Sequence, residues 1–202
     1  MNNSTTENPK AQVKEVLLLL TDQWADWEAA YAIPIINSVP QYTVKTIAVN
    51  KISKVSIGGI KAEIDYTIDN YRDFDNLAMV ILPGGYSWKE ERYDEIAAFI
   101  AKSIDCKVPV AVICGATIFL GKHGFLDNVK HTGDELELFT NEQGYNGQDF
   151  YVSAQTSVDN GIITANETAA VEFGRIILET LRIFTTEDSN GWYDYFKNGM
   201  VQ

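Results

Sequence analysis

The run of apolar residues that ends at Cys114 constrains the fold of this chain more than any other segment. Residues 108–113 are mostly apolar and β-branched, and the small residues Gly115-Ala116-Thr117 follow the cysteine directly. An apolar run of this length is typical of a strand that is covered on both faces, so it predicts a central strand of a parallel sheet. The small residues predict a tight turn from that strand into a helix.

Cys114 has two interpretations at this corner. The thiol would face the N-terminus of a helix, whose free N–H groups and dipole favour a thiolate, so Cys114 is a candidate nucleophile or redox sensor. The alternative is a buried structural thiol, since free cysteine is among the residue types most often buried.

Strand-like and helix-like segments alternate along almost the whole chain. Strands are predicted at 13–21, 42–49, 77–82, 108–113, 129–139 and within 150–165, a small hairpin at 55–63, and helices at 26–38, 87–104, 115–123, 168–184 and 190–198. This alternation predicts an α/β fold, a three-layer sandwich of the flavodoxin-like type with a mostly parallel central sheet and helices on both faces. Residues 13–202 contain no internal repeat or linker and are predicted to form a single domain after a disordered tail at 1–12.

Composition limits the partners and the compartment. The formal net charge of −12 argues against nucleic acid or an anionic membrane surface as a partner. Residues 1–12 lack the apolar stretch of a secretory signal, and the run at 17–20 is too short to span a bilayer. Cys106 and Cys114 flank the predicted strand, roughly 20 Å apart and beyond disulfide reach, which predicts free thiols in the cytoplasm. The 2 histidines give no Cys/His cluster with zinc spacing, so no metal or other cofactor is expected.

Two further elements follow predicted strands at the same edge of the sheet, where ligands bind in open parallel sheets. Pro83-Gly84-Gly85 offers backbone N–H groups that could bind an oxyanion beside Cys114, or it is simply a turn from strand to helix. Glu28 is either a first-turn residue that compensates the helix dipole or an acid that points at the thiol. In the second case one of the two groups must hold a proton, because two adjacent negative charges repel strongly. Asp26 fits the N-cap of the predicted helix.

His131 and three aromatic residues complete the candidate site. His131 is interpreted as an acid or base beside Cys114, or as an ordinary surface or core histidine. Trp24, Trp27 and Tyr86 either narrow the entrance to the site or pack as ordinary aromatic residues. The aromatic segment 192–196 either covers the sheet or forms a subunit contact.

Four motifs together resemble the DJ-1/ThiJ/PfpI superfamily, which has the class I glutamine amidotransferase-like fold. They are Ala25-Asp-Trp-Glu28, Ile81-Leu-Pro-Gly-Gly85, Ala111-Val-Ile-Cys-Gly-Ala-Thr117 and Ile163-Thr-Ala-Asn-Glu-Thr168. The resemblance implies that Cys114 is a reactive nucleophile with a lowered pKa, that a protonated Glu28 hydrogen-bonds to it, and that Gly85 and Gly115 supply backbone donors. It also implies a dimer or larger assembly. The family's activities include glyoxalase or deglycase, peptidase and hydration chemistry, chaperoning and oxidative-stress sensing.

The sequence departs from the family patterns at two places. Glutaminase relatives carry a histidine–acid pair near the C-terminus, and no histidine follows His131 here, so glutamine hydrolysis by that triad is not expected. Many PfpI-like enzymes place a histidine on the strand after the elbow helix. Counted from residues 126–127, that position falls nearer Gly133 or Asp134 than His131. A shift of one residue on a strand turns a side chain to the opposite face, so a Cys–Glu dyad is expected and a histidine partner is left open.

The sequence therefore predicts a cytoplasmic DJ-1/PfpI-like protein, expected to be a homodimer, that uses Cys114 on a small-molecule substrate or oxidant. One hypothesis is a cysteine-dependent hydrolase or glyoxalase/deglycase that acts on a small electrophile. The alternative is a non-enzymatic oxidative-stress sensor or chaperone-like protein whose cysteine oxidises to a sulfinate. A His131 imidazole within about 4 Å of Cys114 favours the enzyme, and one beyond reach favours the sensor.

Overall fold

A central sheet of mostly parallel strands organises the computed structural model, which describes residues 12–90 and 93–199. The strands in chain order are β1 (Lys14–Leu19), β2 (Tyr42–Ala48), β3 (Lys54–Val55), β4 (Lys61–Ala62), β5 (Tyr66–Thr67), β6 (Leu77–Leu82), β7 (Val110–Ile113), β8 (Thr156–Asp159) and β9 (Ile162–Ala165). Within this part of the chain, seven of them form one sheet in the order β5-β2-β1-β6-β7-β9-β8, and β3 pairs with β4 as a separate hairpin. Only β8, at one edge, runs antiparallel to its neighbour in the large sheet.

Helices cover both faces of the sheet. They are α1 (Ile33–Ser38), α2 (Ser87–Glu90), α3 (Asp94–Asp105), α4 (Gly115–Lys122), α5 (Leu136–Thr140), α6 (Ala170–Thr180) and α7 (Thr186–Asn198). Residues from α2 to α5 pack against one face, and residues of α1 and α6 pack against the other. The predicted α/β sandwich of three layers with a mostly parallel sheet is confirmed.

The core follows from the alternation of side chains along the central strands. Successive residues of a strand point to opposite faces, so Leu17 and Leu19 join one apolar cluster while Val16 and Leu18 join the other. In β7, Val112 and Ile113 divide between the two clusters in the same way and are fully buried. The strand that carries Cys114 is therefore covered on both faces, as the apolar run predicts.

Three predicted elements differ from the structure. The helix expected at 87–104 is divided into α2, which ends at Glu90, and α3, which begins at Asp94 after Tyr93 with a φ of 52°. The helix expected at 26–38 is reduced to α1, preceded by turns, and Asp26 does not cap it: Asp26 Oδ2 accepts a hydrogen bond of 2.6 Å from Ser56 Oγ. The strand expected at 129–139 is wrong. Within that segment a single bridge joins His131 to Tyr151, and the chain then forms α5, because Glu135 to Thr140 carries residues of ordinary helix propensity that bury Phe139.

The remaining predictions on organisation concern the termini and membranes. The predicted tail lies outside the described residues, apart from Gln12. Among the helices described, none has the length and apolar character needed to cross a bilayer.

Candidate active site

Three loops meet at the carboxyl ends of neighbouring strands and form one cavity. The order of the sheet reverses between β1 and β6, since β2 follows on one side and β7 on the other. Such a switch point leaves a crevice in which ligands bind. The loop after β1 is joined to the loop after β6 by a hydrogen bond of 3.0 Å from Ala25 N to Gly84 O and by a bridge between Trp24 and Gly85. These contacts join two of the predicted motifs, and Cys114 lines the same cavity.

Cys114 lies at a strained corner between β7 and α4. Its φ of 54° and ψ of −131° are unusual for a residue with a side chain. The conformation is held by neighbouring backbone, since Cys114 N donates to Ala165 O over 3.0 Å and Thr117 N donates back to Cys114 O over 2.9 Å. Strain of this kind costs on the order of 1–3 kcal/mol and persists where the surrounding structure imposes it. The half-buried thiol is thereby held at the wall of the cavity.

Glu28 lies against Cys114 and is fully buried. Its Oε2 accepts a hydrogen bond of 2.5 Å from Gly84 N, which fixes the carboxyl group beside the elbow. Its Oε1 has no hydrogen-bond partner among the described residues. An ionised carboxylate with one oxygen left without a donor is costly in a buried site, so this environment favours the protonated acid.

The pKa values of the two groups are shifted in the same direction. Burial, opposed by the hydrogen bond from Gly84, raises the pKa of Glu28 from 4.5 to about 7. Burial and the charges of Glu28 and Asp134 raise the pKa of the Cys114 thiol, while the backbone N–H of Gly115 acts to lower it. This direction is opposite to the lowered thiol pKa that the resemblance implies. Its main physical cause is burial, which disfavours the thiolate, and repulsion between a thiolate and the Glu28 carboxylate adds to it. The pair therefore carries at most one negative charge near neutral pH.

The glycines of the predicted oxyanion site have specific roles. A Cβ at Gly84 would lie 2.7 Å from Cys114 Cβ and 2.9 Å from Glu28 Oε2, so only glycine permits the thiol and the acid to approach. Gly85 has a φ of +149° and lines the cavity, and its N–H has no acceptor among the described residues. Gly115 N–H interacts with the Cys114 sulfur. Of the two predicted donors, Gly115 therefore contacts the thiol, and Gly85 lines the same cavity.

The cavity has a volume of about 410 Å³, which suits a small molecule. Of the three aromatic residues predicted at its entrance, Trp27 and Tyr86 line it and are 49% and 57% exposed. Trp24 does not line it. Its side chain is buried in the apolar cluster that includes residues of β1 and β6.

The predicted role of His131 beside Cys114 is not supported by its position. His131 is fully buried, with Nδ1 2.7 Å from Val129 O and Nε2 2.8 Å from Tyr145 Oη. Both ring nitrogens are thus engaged, and His131 is not among the residues that line the cavity. Burial lowers the pKa of His131 and keeps the imidazole neutral. The residue is a core histidine that connects three aromatic rings, namely Phe139, Tyr145 and Tyr151.

Two carboxylates that sequence reasoning did not select lie beside the thiol instead. The donor atoms of Cys114, Asp134 and Glu167 all lie within 4.8 Å of one another. Asp134 is one of the two positions counted for the family's histidine, and Glu167 lies in the last resemblance motif, so the sequence held a signal for both. A thiolate and two carboxylates are also a donor set that a divalent cation such as zinc accepts. A search for Cys/His spacing alone could not find this group.

Comparisons with known proteins agree with this architecture. Residues 14–180 match the family model described as the DJ-1/PfpI family. "Uncharacterized protease YdeA" of Bacillus subtilis (strain 168) is 34% identical over 176 residues, which span 87% of this chain and 87% of that protein. The solved structure of a thiJ/pfpI family protein from Bacillus anthracis is 30% identical with a TM-score of 0.86, covering 94% of this chain and 93% of that one. A DJ-1 superfamily protein from Agrobacterium tumefaciens is 26% identical with a TM-score of 0.85, covering 93% of this chain and 100% of that one.

Proposed function

This chain belongs to the DJ-1/PfpI family, and from that membership we propose that it is a cysteine-dependent enzyme. Cys114 is the nucleophile in this proposal, Glu28 is the group that exchanges a proton with it, and the substrate is a small electrophilic carbonyl compound. Hydrolysis is favoured within this class because two relatives carry the name of protease. The glyoxalase or deglycase type shares the first step, the addition of sulfur to a carbonyl carbon.

The contact of Cys114 with the buried Glu28 at the cavity wall carries the proposal. A structural thiol needs neither a strained corner nor a neighbouring acid, and both cost free energy. Perturbed titratable groups that converge on a concave site are typical of catalysis.

The reaction follows from the single proton that the pair holds. Sulfur attacks the carbonyl carbon, and its proton is held by Glu28. The carbonyl oxygen becomes an oxyanion that can be stabilised by the Gly85 N–H, which has no acceptor among the described residues. For an amide, the C–N bond then breaks and the leaving nitrogen takes the proton from Glu28. Water adds to the thioester, the C–S bond breaks, and the acid is released while a proton returns to the pair.

The size of the cavity favours a small substrate over a polypeptide. A volume of about 410 Å³ accommodates a drug-sized molecule or one to two amino-acid residues. Trp27 and Tyr86 stand at the entrance and limit the width of what enters. The apolar wall consists of Ile57, Ile118 and Leu138.

An oxidative-stress sensor is the second candidate function, and the position of His131 favours it. The His131 imidazole is not available to act on the thiol, since both of its nitrogens are engaged elsewhere. In this alternative one peroxide converts the Cys114 thiol to a sulfenic acid with release of water. A second peroxide then gives the sulfinic acid and another water. Gly85 N–H and Gly115 N–H are donors that can stabilise the sulfinate.

Turnover by a matched pair of cysteine variants tests the proposal. Methylglyoxal consumption and hydrolysis of alanine p-nitroanilide are measured for wild type, Cys114→Ala and Cys106→Ala. We expect Cys106→Ala to match wild type, because Cys106 is exposed at the far end of the sheet, and Cys114→Ala to lose at least about 1,000-fold in kcat/KM. Equal activity of the two variants refutes the enzyme. Sulfinate formation on Cys114 in a protein that turns over neither compound supports the sensor.

The assembly and compartment belong to the same proposal. We expect a homodimer that works in the cytoplasm on a small molecule. Neither nucleic acid nor a membrane is expected as a partner, since the net charge of −12 is repelled by nucleic acid and by an anionic membrane surface.

A further inference from the structure

We propose that the preferred substrate carries a protonated α-amino group beside the carbonyl that Cys114 attacks, as in an amino-acid amide or the N-terminal residue of a short peptide. Asp134 and Glu167 bind this ammonium group. The inference rests on the proposed function, which it deepens by naming the chemical class of the substrate.

The two carboxylates are placed to bind a ligand in the cavity. Asp134 and Glu167 both line it, together with Cys114. Asp134 Oδ1 accepts a hydrogen bond of 2.7 Å from Glu167 N, which fixes the two residues relative to each other. Neither carboxylate forms an ion pair within the described residues. Two anionic groups held together without a cation are repulsive, and a bound cation relieves that repulsion.

The distances fit an α-ammonium group. The carboxylate oxygens and the Cys114 sulfur lie within 4.8 Å of one another. Two oxygens that each accept a bond of about 2.8 Å from a tetrahedral ammonium are about 4.6 Å apart. The α-nitrogen of an amino-acid residue is about 2.5 Å from the carbonyl carbon of that residue. The attacking sulfur approaches the same carbon to roughly 3 Å, so the thiol and the ammonium group are close neighbours. The ammonium group of a lysine side chain would be roughly 7 Å from that carbon, too far to contact the carboxylates of Asp134 and Glu167.

The other charged groups of the cavity agree with this assignment. Glu28 is fully buried with Oε1 unpartnered among the described residues, and it shares a single proton with Cys114 near neutral pH, so the pair adds at most one negative charge to the cavity. Among the described residues that line the cavity, Lys89 is the cation, and its side chain is exposed. The ammonium group therefore meets two carboxylates next to the thiol.

A pair of covalent probes tests the inference without requiring turnover. Alanyl chloromethyl ketone carries the free amine, and its N-acetyl derivative lacks the charge; in both, sulfur displaces chloride from the CH₂ group. Rates of alkylation are followed by intact mass in Cys106→Ser protein, in which Cys114 is the remaining thiol, at a pH where the amine is protonated. We expect the free amine to react at least about 10-fold faster, as charge-assisted hydrogen bonds allow. This comparison needs no change to the carboxylates.

Variants then assign the preference to the two carboxylates. Asp134→Asn and Glu167→Gln should each remove most of the rate ratio, whereas Glu63→Gln, which loses an acid that is 82% exposed outside the cavity, should retain it.

Three outcomes overturn the inference in distinguishable ways. A ratio near one, with both probes bound to Cys114, refutes the ammonium site and leaves the proposed nucleophile in place. Failure of both probes in folded protein that reacts after unfolding refutes the proposed function together with the inference. A preference that EDTA abolishes and zinc restores assigns the thiol and carboxylates to a metal instead.

Discussion

Cys114 and Glu28 share a space in which one negative charge is tolerated and two are not. Gly84 makes this contact possible, because any side chain there would occupy the position of the sulfur and the carboxyl oxygen. The chemistry of the site then depends on which of the two groups holds the proton. Cys114 can be a thiolate only while Glu28 is protonated, and Glu28 can be ionised only while Cys114 is a neutral thiol.

The pH dependence of kcat/KM should report this shared proton. Burial raises the pKa of Glu28 to about 7, so below that pH the pair holds two protons and sulfur is not a nucleophile. We expect kcat/KM to rise as the pH increases through about 7, where the first proton is lost. Glu28→Gln cannot lose it, so this inflection should disappear and kcat/KM at pH 8 should fall about 100-fold. An unchanged inflection in Glu28→Gln, with Glu63→Gln as the control, would contradict the account.

Gly84→Ala tests whether the close contact between Cys114 and Glu28 is needed for activity. The new Cβ would lie 2.7 Å from Cys114 Cβ, so the elbow must shift, and we expect about 1–3 kcal/mol of destabilisation with loss of most activity. Gly191→Ala is the matched control, since its Cβ meets nothing within 4 Å in the helix α7. It should gain up to about 1 kcal/mol and keep its activity. Denaturation curves and kcat/KM measure both, and an active Gly84→Ala would refute the contact.

Much of the site could be predicted from residues that follow strands. Cys114 and Gly85 follow closely after buried runs, Glu28 lies in the loop after another, and the carboxyl ends of parallel strands meet at one edge. Asp134 and Glu167 escaped selection because nothing in their spacing brings them together; a hydrogen bond between Asp134 and the Glu167 backbone does. The pKa of Cys114 also depends on burial and on neighbouring charge, which a linear sequence does not contain.

At the scale of elements, the segment around His131 holds the aromatic cluster together instead of supplying a base. We predict that His131→Ala lowers the free energy of unfolding by about 3 kcal/mol, because it leaves a cavity and strips Tyr145 Oη of its partner. The kcat per folded molecule should stay close to that of wild type. Chemical denaturation together with kcat of the folded fraction checks this. A His131→Ala variant that is stable but inactive would contradict this prediction and indicate a catalytic role for His131.

The strongly periodic elements were predictable, and the segments with mixed signals were not. The strand at 77–82 was predicted with the bounds of β6, and the apolar spacing of 96, 99 and 100 indicated α3. Residues 129–139 alternate in polarity like a strand. In the structure, however, this segment forms a single bridge, from His131 to Tyr151, and then the helix α5. The loop at 22–32 bonds to the β3–β4 hairpin through Gln23 and Ile57, a tertiary contact that overrides its helical pattern.

On the scale of the whole molecule, the alternation of strands and helices was sufficient to predict the layers, while the assembly is predicted from family membership. Large apolar side chains remain exposed, including Ile52 at 69% and Ile60 at 56%. Scattered exposure is ordinary, but family members are commonly dimers, so we predict a dimer mass in sedimentation analysis at micromolar protein. A monomer over the whole concentration range would contradict this prediction.

Direct trapping of the covalent intermediate tests the central claim, which is that Cys114 is the nucleophile. Wild-type protein is mixed with alanine p-nitroanilide and quenched with acid before the first turnover ends, and the digested protein is analysed by mass spectrometry. The account predicts an alanyl thioester on the peptide that contains Cys114 and none on Cys106. Release of p-nitroaniline with no mass added at Cys114, or with the acyl group on another residue, would contradict it.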